Sequence, residues 1–228
     1  MQYKDSTRGD LMTEVVPDAP NVSVFDDELA ALVRLAAAVA AGDEPSVRTQ
    51  VAVAVHAVRP EWVEEVILQS YLFAGFPRAL NAAREWRKAS GRSAPAHDEG
   101  ENHQDAAEWA ARGERTCEVV YGPFYGRLRH NIRALHPALD AWMIVDGYGK
   151  VLSRPHLDLQ RREFCIVAAC ASAKQDRQLH SHLHGALHAG ASEADLRLVL
   201  DALVGLASDA DLRRYHLLLT RVVAHDVH

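Results

Sequence analysis

Residues 157–203, LDLQRREFCIVAACASAKQDRQLHSHLHGALHAGASEADLRLVLDAL, decide how this chain is read. Apolar residues recur there at helical spacing, and turn signals divide the stretch into three segments. On the first, about 158–173, each residue advances about 100°, which sets Glu163 within about 60° of Ile166, Val167 and Cys170. A carboxylate on an apolar stripe needs a partner charge, hydrogen bonds or a proton. The plain structural alternative is an arginine on a neighbouring helix. On the second segment, about 176–189, His182 flanks the stripe of Leu179, Leu183 and Ala186, whereas His180, His184 and His188 fall about 100° to 180° from Leu179 and look outward. His184 and His188 stand at i, i+4, but no carboxylate or thiolate is at hand as a third ligand. No metal is therefore expected, and a wet or interfacial histidine face is read instead. Gly190 stops this helix, and Ser192 with Asp195 opens the next as a capping-box variant.

Glu163, a histidine nineteen residues later at His182, the run Ala186-Leu187-x-x-Gly190 and an acidic helix start together resemble the carboxymuconolactone decarboxylase family. That family also contains the alkylhydroperoxidase D proteins. The lead-in from Tyr148 to Asp158, YGKVLSRPHLD, looks like the decarboxylase branch. The resemblance implies an all-α, alkylhydroperoxidase D-like fold, a homo-oligomer with a trimer favoured for two-repeat members, and Glu163 with His182 as the catalytic pair. The peroxidase branch carries a Cys-x-x-Cys where this chain has Gln175 and Gln178. An amide cannot replace a thiolate in disulfide exchange, and Cys165 and Cys170 point about 140° apart on one helix. Dithiol peroxidase chemistry is not expected.

The whole chain of 228 residues, 48% hydrophobic and 25% charged, is long enough to bury a core without staples. A net charge of −6 gives no footprint for nucleic acid. Three cysteines and the lack of a long apolar run lead us to expect a cytoplasmic protein with no membrane contact. Residues 1–22, polar and containing Pro17 and Pro20, read as a loose leader. Residues 23–90 form an N-terminal helical unit: Asp26 or Asp27 caps a helix to Ala41, Asp43 caps a second, and Arg59-Pro60 and Pro77 start two more. At an offset of 132 this unit echoes the C-terminal one, with Ala54-Val55-His56-Ala57 on Ala186-Leu187-His188-Ala189 and Glu61 on Glu193. Ala31 then falls on Glu163 and Gln50 on His182, so the first unit has a degenerate site. Residues 91–103 read as a linker. Residues 104–228 hold connecting helices and the second unit, with a helix over 104–112, a break across 117–126, a helix over 127–135, and another from His136-Pro137 that Gly147-Tyr148-Gly149 ends.

Three functions fit this reading. The first is a cofactor-free lyase or isomerase acting on a small carboxylated lactone or related acid, with Glu163 and His182 exchanging protons. Arg154 and Arg162 would hold substrate carboxylates in bidentate pairs. Gln178 joins the substrate-binding set, as do Tyr71 and Arg78 beside the Gly75-Phe76-Pro77 turn, where a helix start makes an anion site. Plain helix packing, with Gly75 allowing close approach and Pro77 fixing the turn, is the favoured reading of that turn. The second is a non-catalytic small-molecule binder or scaffold, with Glu163 satisfied by Arg162 or Arg177 and no cavity around His182. The third is a peroxidase that relies on Cys165 or Cys170 alone.

Overall fold

The computed structural model describes residues 24–226, so the leader assigned to 1–22 lies outside the described residues. The chain forms α1 (Asp27–Ala41), α2 (Glu44–Ala57), α3 (Pro60–Ala74), α4 (Phe76–Ser90), α5 (Ala106–Tyr121), α6 (Tyr125–Leu135) and α7 (Pro137–Trp142). A π-helix (Met143–Leu152) follows, then α8 (Leu159–Ser172), α9 (Asp176–His188), α10 (Glu193–Asp201) and α11 (Asp209–Asp226). No β-strand forms among the described residues, and the fold is all-α.

Helix starts follow local chemistry. Asp26 accepts from Leu29 N–H, Asp43 from Ser46 N–H and Asp158 from Arg161 N–H, each side chain satisfying a donor that the first helical turn leaves open. Ser192 and Asp195 close a reciprocal capping box ahead of α10. α1 and α8 lie at the centre and pack against each other. Nearly every residue from Leu29 to Ala40 is buried, as is every residue from Arg162 to Ala171. A helix that is apolar all round has to be covered on all sides; α2 and α3 cover α1, and α9 covers α8. The starts of α1, α2, α3 and α4 lie within about one residue of 132 positions before those of α8, α9, α10 and α11.

Two expectations about the connecting region need correction. The helix expected to end at Arg112 continues through Cys117 to Tyr121, and the break is a short 3₁₀ turn at Gly122–Phe124. Cys117 and Val120 are buried on the same stripe as Trp109 and Gly113, so core contact carries α5 onward. Nor do Gly147 and Gly149 end a helix. They sit inside the π-helix, which packs along α5. A Cβ on Gly113 would collide with Ile144 O, and one on Gly149 with Trp109 O. The two backbones meet directly there, an approach open only to glycine. Among the aromatics of this region Trp109 and Tyr148 are core, while Phe124 and Trp142 are exposed.

Residues 91–103, expected as an exposed linker, are tied to the body. Asp98 pairs with Arg154, and Glu99 lies 3.6 Å from Arg112.

Candidate active site

The register of α8 and α9 brings Glu163 and His182 together. His182 Nδ1 lies 2.8 Å from Glu163 Oε2. The Glu163 side chain is fully buried, whereas His182 keeps 7% of its side chain exposed, so the imidazole is the member of the pair that reaches outward. The second carboxylate oxygen, Oε1, is buried with no partner among the described residues. A carboxylate desolvated in this way is held away from the solvation it has at a surface.

Neighbouring residues pack around the pair. Phe73 meets the His182 ring edge to face at 5.7 Å and restricts its rotation. Gly185, one turn after Ser181, leaves the space that Glu163 occupies: a Cβ there would lie 2.6 Å from Val120 Cγ1 and 2.9 Å from Glu163 Oε2. Tyr121 and Tyr148 are hydrogen-bonded to each other and stand near Glu163; burial pushes the Tyr121 phenol up to about 12 and the Tyr148 phenol well above its usual range. Both remain protonated at neutral pH. Sequence reading missed Phe73, Tyr121, Tyr148 and Gly185. A glycine inside a helix was the one available signal, since such a residue commonly marks a close approach.

The other residues singled out from sequence lie elsewhere. Arg162 is fully buried and turns away from Glu163: its guanidinium donates to Leu157 O, Gln69 Oε1, Glu65 Oε2 and Arg154 O. Arg154 donates to Glu65 and Asp98. In this structure acidic side chains and carbonyls of the chain itself take the donors of both arginines expected to hold substrate carboxylates. The arginine partner expected for Glu163 under the scaffold reading is replaced by His182. Arg78 donates through Nη1 and Nη2 to Gly42 O at 2.8 and 2.9 Å, which caps the C-terminal end of α1. Tyr71 is half-buried and stacks on Phe76 at 4.9 Å, in keeping with the packing alternative for that turn. Gln178 is exposed one turn before His182 on α9.

Among the described residues no group of three or more His, Cys, Asp and Glu side chains is arranged to hold a metal ion. His180 and His184 meet edge to face at 4.8 Å between centroids and line, with His188, Tyr121 and His225, a cavity of about 390 Å³ on the outer face of α9.

The three cysteines are free and buried. Burial pushes the Cys117 and Cys170 thiols up to about 12 and Cys165 higher still. Since the thiolate is the reactive form, little of it exists at pH 8. Iodoacetamide at that pH is expected to leave all three unmodified in the native chain and to label them in urea. Intact-mass measurement checks this, and rapid native labelling would contradict the burial described.

Residues 137–214 match the model of the carboxymuconolactone decarboxylase family. The match runs from α7 into α11 and contains both Glu163 and His182. Two similar curated proteins both carry the name Peroxisomal protein 2. The one from Schizosaccharomyces pombe is 29% identical over 133 residues, covering 58% of this chain and 62% of the relative. The one from Saccharomyces cerevisiae is 26% identical over 162 residues, covering 59% of this chain and 56% of the relative. The chain thus spans less than two thirds of the length of either. No described helix is long and apolar enough to cross a membrane.

Proposed function

We propose that this chain is a cofactor-free acid–base enzyme of the carboxymuconolactone decarboxylase type, acting on a small carboxylated lactone or related acid. The observation that carries the reading is the buried 2.8 Å contact between Glu163 and His182. Glu163 accepts from Nδ1–H and fixes the tautomer, which leaves Nε2 as the basic nitrogen. The bond from the substrate carboxylate to the carbon beside a carbonyl breaks, carbon dioxide leaves, and the electron pair stays on that carbon as an enolate. His182 imidazolium then protonates it, is reprotonated from solvent, and is stabilised by Glu163. Exposed Gln178, one turn away, is the substrate-binding group retained in this reading.

The test is turnover of carboxymuconolactone, followed as release of carbon dioxide. His182→Asn is expected to lower the rate by about 10²–10⁴-fold, and Glu163→Gln to lower it as well, while iodoacetamide leaves it unchanged. Equal rates in the unchanged and His182→Asn chains would end the proposal. The alternative, a non-catalytic binder or scaffold of the same fold, draws on one observation: the cavity on the outer face of α9 is lined by neither Glu163 nor His182.

The wider organisation follows the same reading. The matched helix starts at an offset of 132 support two tandem units, the first with Ala31 and Gln50 at the places of the pair. Exposed Leu135, Leu139 and Trp142 on α6 and α7 supply an apolar face for a homo-oligomer, proposed as a trimer. Three free thiols suit a reducing compartment; the names of both relatives add the peroxisome to the cytoplasm as a place to look for the chain.

A further inference from the structure

Arg154, Glu65 and Arg162 form a buried cluster of two guanidinium groups around one carboxylate. Their side chains are 8%, 3% and 0% exposed. Arg154 Nε donates to both oxygens of Glu65, at 3.0 and 2.9 Å, and Arg162 Nη2 donates to Glu65 Oε2 at 2.8 Å. The remaining bonds of Arg162 go to Leu157 O, Arg154 O and Gln69 Oε1, all neutral acceptors. The cluster therefore holds one positive charge in excess, and a buried charge without a counter-charge is strongly destabilising.

The balance comes from the irregular 91–105 segment. Asp98 Oδ1 lies 2.9 Å from Arg154 Nη1 and Oδ2 lies 2.8 Å from Nη2, a parallel two-oxygen fork. Glu99 of the same segment is 3.9 Å from Nη1. Asp98 otherwise accepts from Gly100 N–H, two residues on, and its side chain is 35% exposed. The hydrogen bonds from Arg154 hold its carboxyl below the usual range. Arg154 also forms part of the wall of a cavity of about 470 Å³, together with Arg92, His97 and His156.

We propose that the outer face of Arg154 is a carboxylate-binding site, that Asp98 is its built-in occupant, and that an external small carboxylic acid displaces Asp98 and frees the 91–105 segment. The inner face of the guanidinium is fixed by Glu65, so the fork is oriented before any ligand arrives. A carboxylate fits better than a phosphate. The fork matches two coplanar oxygens. Glu61, Glu64 and Glu65 line the same cavity and oppose the charge that phosphate gathers at one centre more than the single charge at one end of a diacid. None of these contacts involves Glu163 or His182, so the proposal stands independently of the acid–base reading.

The experiment uses the full chain with acetate, succinate and inorganic phosphate as probes. Asp98→Ala is expected to melt several degrees lower, with sodium acetate restoring most of the loss and sodium chloride at equal ionic strength restoring little. By calorimetry, succinate is expected to bind Asp98→Ala about tenfold or more tightly than it binds the unchanged chain, because the internal competitor is gone. Adding Arg154→Gln is expected to abolish that binding. In the unchanged chain, saturating succinate is expected to speed trypsin cleavage after Arg92. If Asp98→Ala does not fold, Asp98→Asn, which keeps the shape and drops the charge, replaces it in both assays. Equal rescue by acetate and chloride, a succinate affinity indifferent to Asp98, or phosphate binding as tight as succinate binding would each overturn the proposal.

Discussion

Glu65→Leu is expected to destabilise the fold by about 3–5 kcal/mol, the cost of leaving buried charge without its partner. Glu65 is the one carboxylate inside the Arg154–Arg162 cluster and accepts from both guanidiniums. Removing it leaves Arg162 fully buried without a counter-charge and Arg154 with Asp98 as its remaining close partner. Burial already drives the Arg162 guanidinium below its ordinary range, with Glu65 as the main opposing influence. Urea unfolding measures the loss directly, and each kcal/mol lowers Tm by about 2–4 °C for a chain of this size. Glu44→Ala, which breaks an exposed i, i+4 pair with Arg48 at 3.8 Å, serves as the control and should cost about 0.5 kcal/mol or less. Replacing all three members by Leu and Met is expected to recover much of the stability, since an apolar cluster has no desolvation penalty. A Glu65→Leu chain as stable as the Glu44→Ala control would show that the cluster is hydrated.

Gly113→Ala and Gly149→Ala are each expected to cost at least about 3 kcal/mol, the upper part of the usual range for over-packing. At both positions the atom that a methyl group would meet is a carbonyl oxygen of the facing backbone, Ile144 O or Trp109 O. A side chain in that position can rotate aside; a backbone carbonyl moves only with its helix. The π-helix would have to separate from α5, and with it Tyr148, whose phenol stands near Glu163. Gly126 in α6 gives the contrast, since a Cβ there meets nothing within 4 Å. Gly126→Ala is expected to be neutral or to stabilise by up to about 1 kcal/mol, in line with helix propensity. Denaturant midpoints compare the three variants. Equal small effects at all three would mean that α5 and the π-helix are further apart than described.

Features set by neighbours in the chain were legible in the sequence. The caps at Asp26, Asp43, Asp158 and Ser192 are bonds between residues three apart, so the residue types announce them. The approach of Glu163 to His182 was legible because each polar residue interrupts an apolar stripe, and two central stripes face each other. Long-range partners were not. Arg154 and Arg162 carry nothing in their own surroundings to point to Glu65, 89 and 97 positions away. A substrate role was the natural expectation for an arginine of unknown partner. The continuation of α5 was hidden for a related reason: Tyr121-Gly122-Pro123 signals a stop correctly, but the helix leading to it is held by core contacts of Cys117 and Val120. Glycines at 147 and 149 signal a turn by composition, and Gly149 here serves a close backbone approach instead.

The most direct test of the central claim is the protonation of the His182 ring, read from ¹⁵N chemical shifts of histidine-labelled protein and assigned by difference from His182→Asn. Neutral His182 is expected to carry its proton on Nδ1, donated to Glu163, with Nε2 bare, and a carboxylated lactone added to the sample is expected to perturb Nε2. A proton on Nε2 with Nδ1 bare would make His182 an acceptor from a protonated Glu163. That result would contradict the assignment of Nε2 as the nitrogen that exchanges the proton.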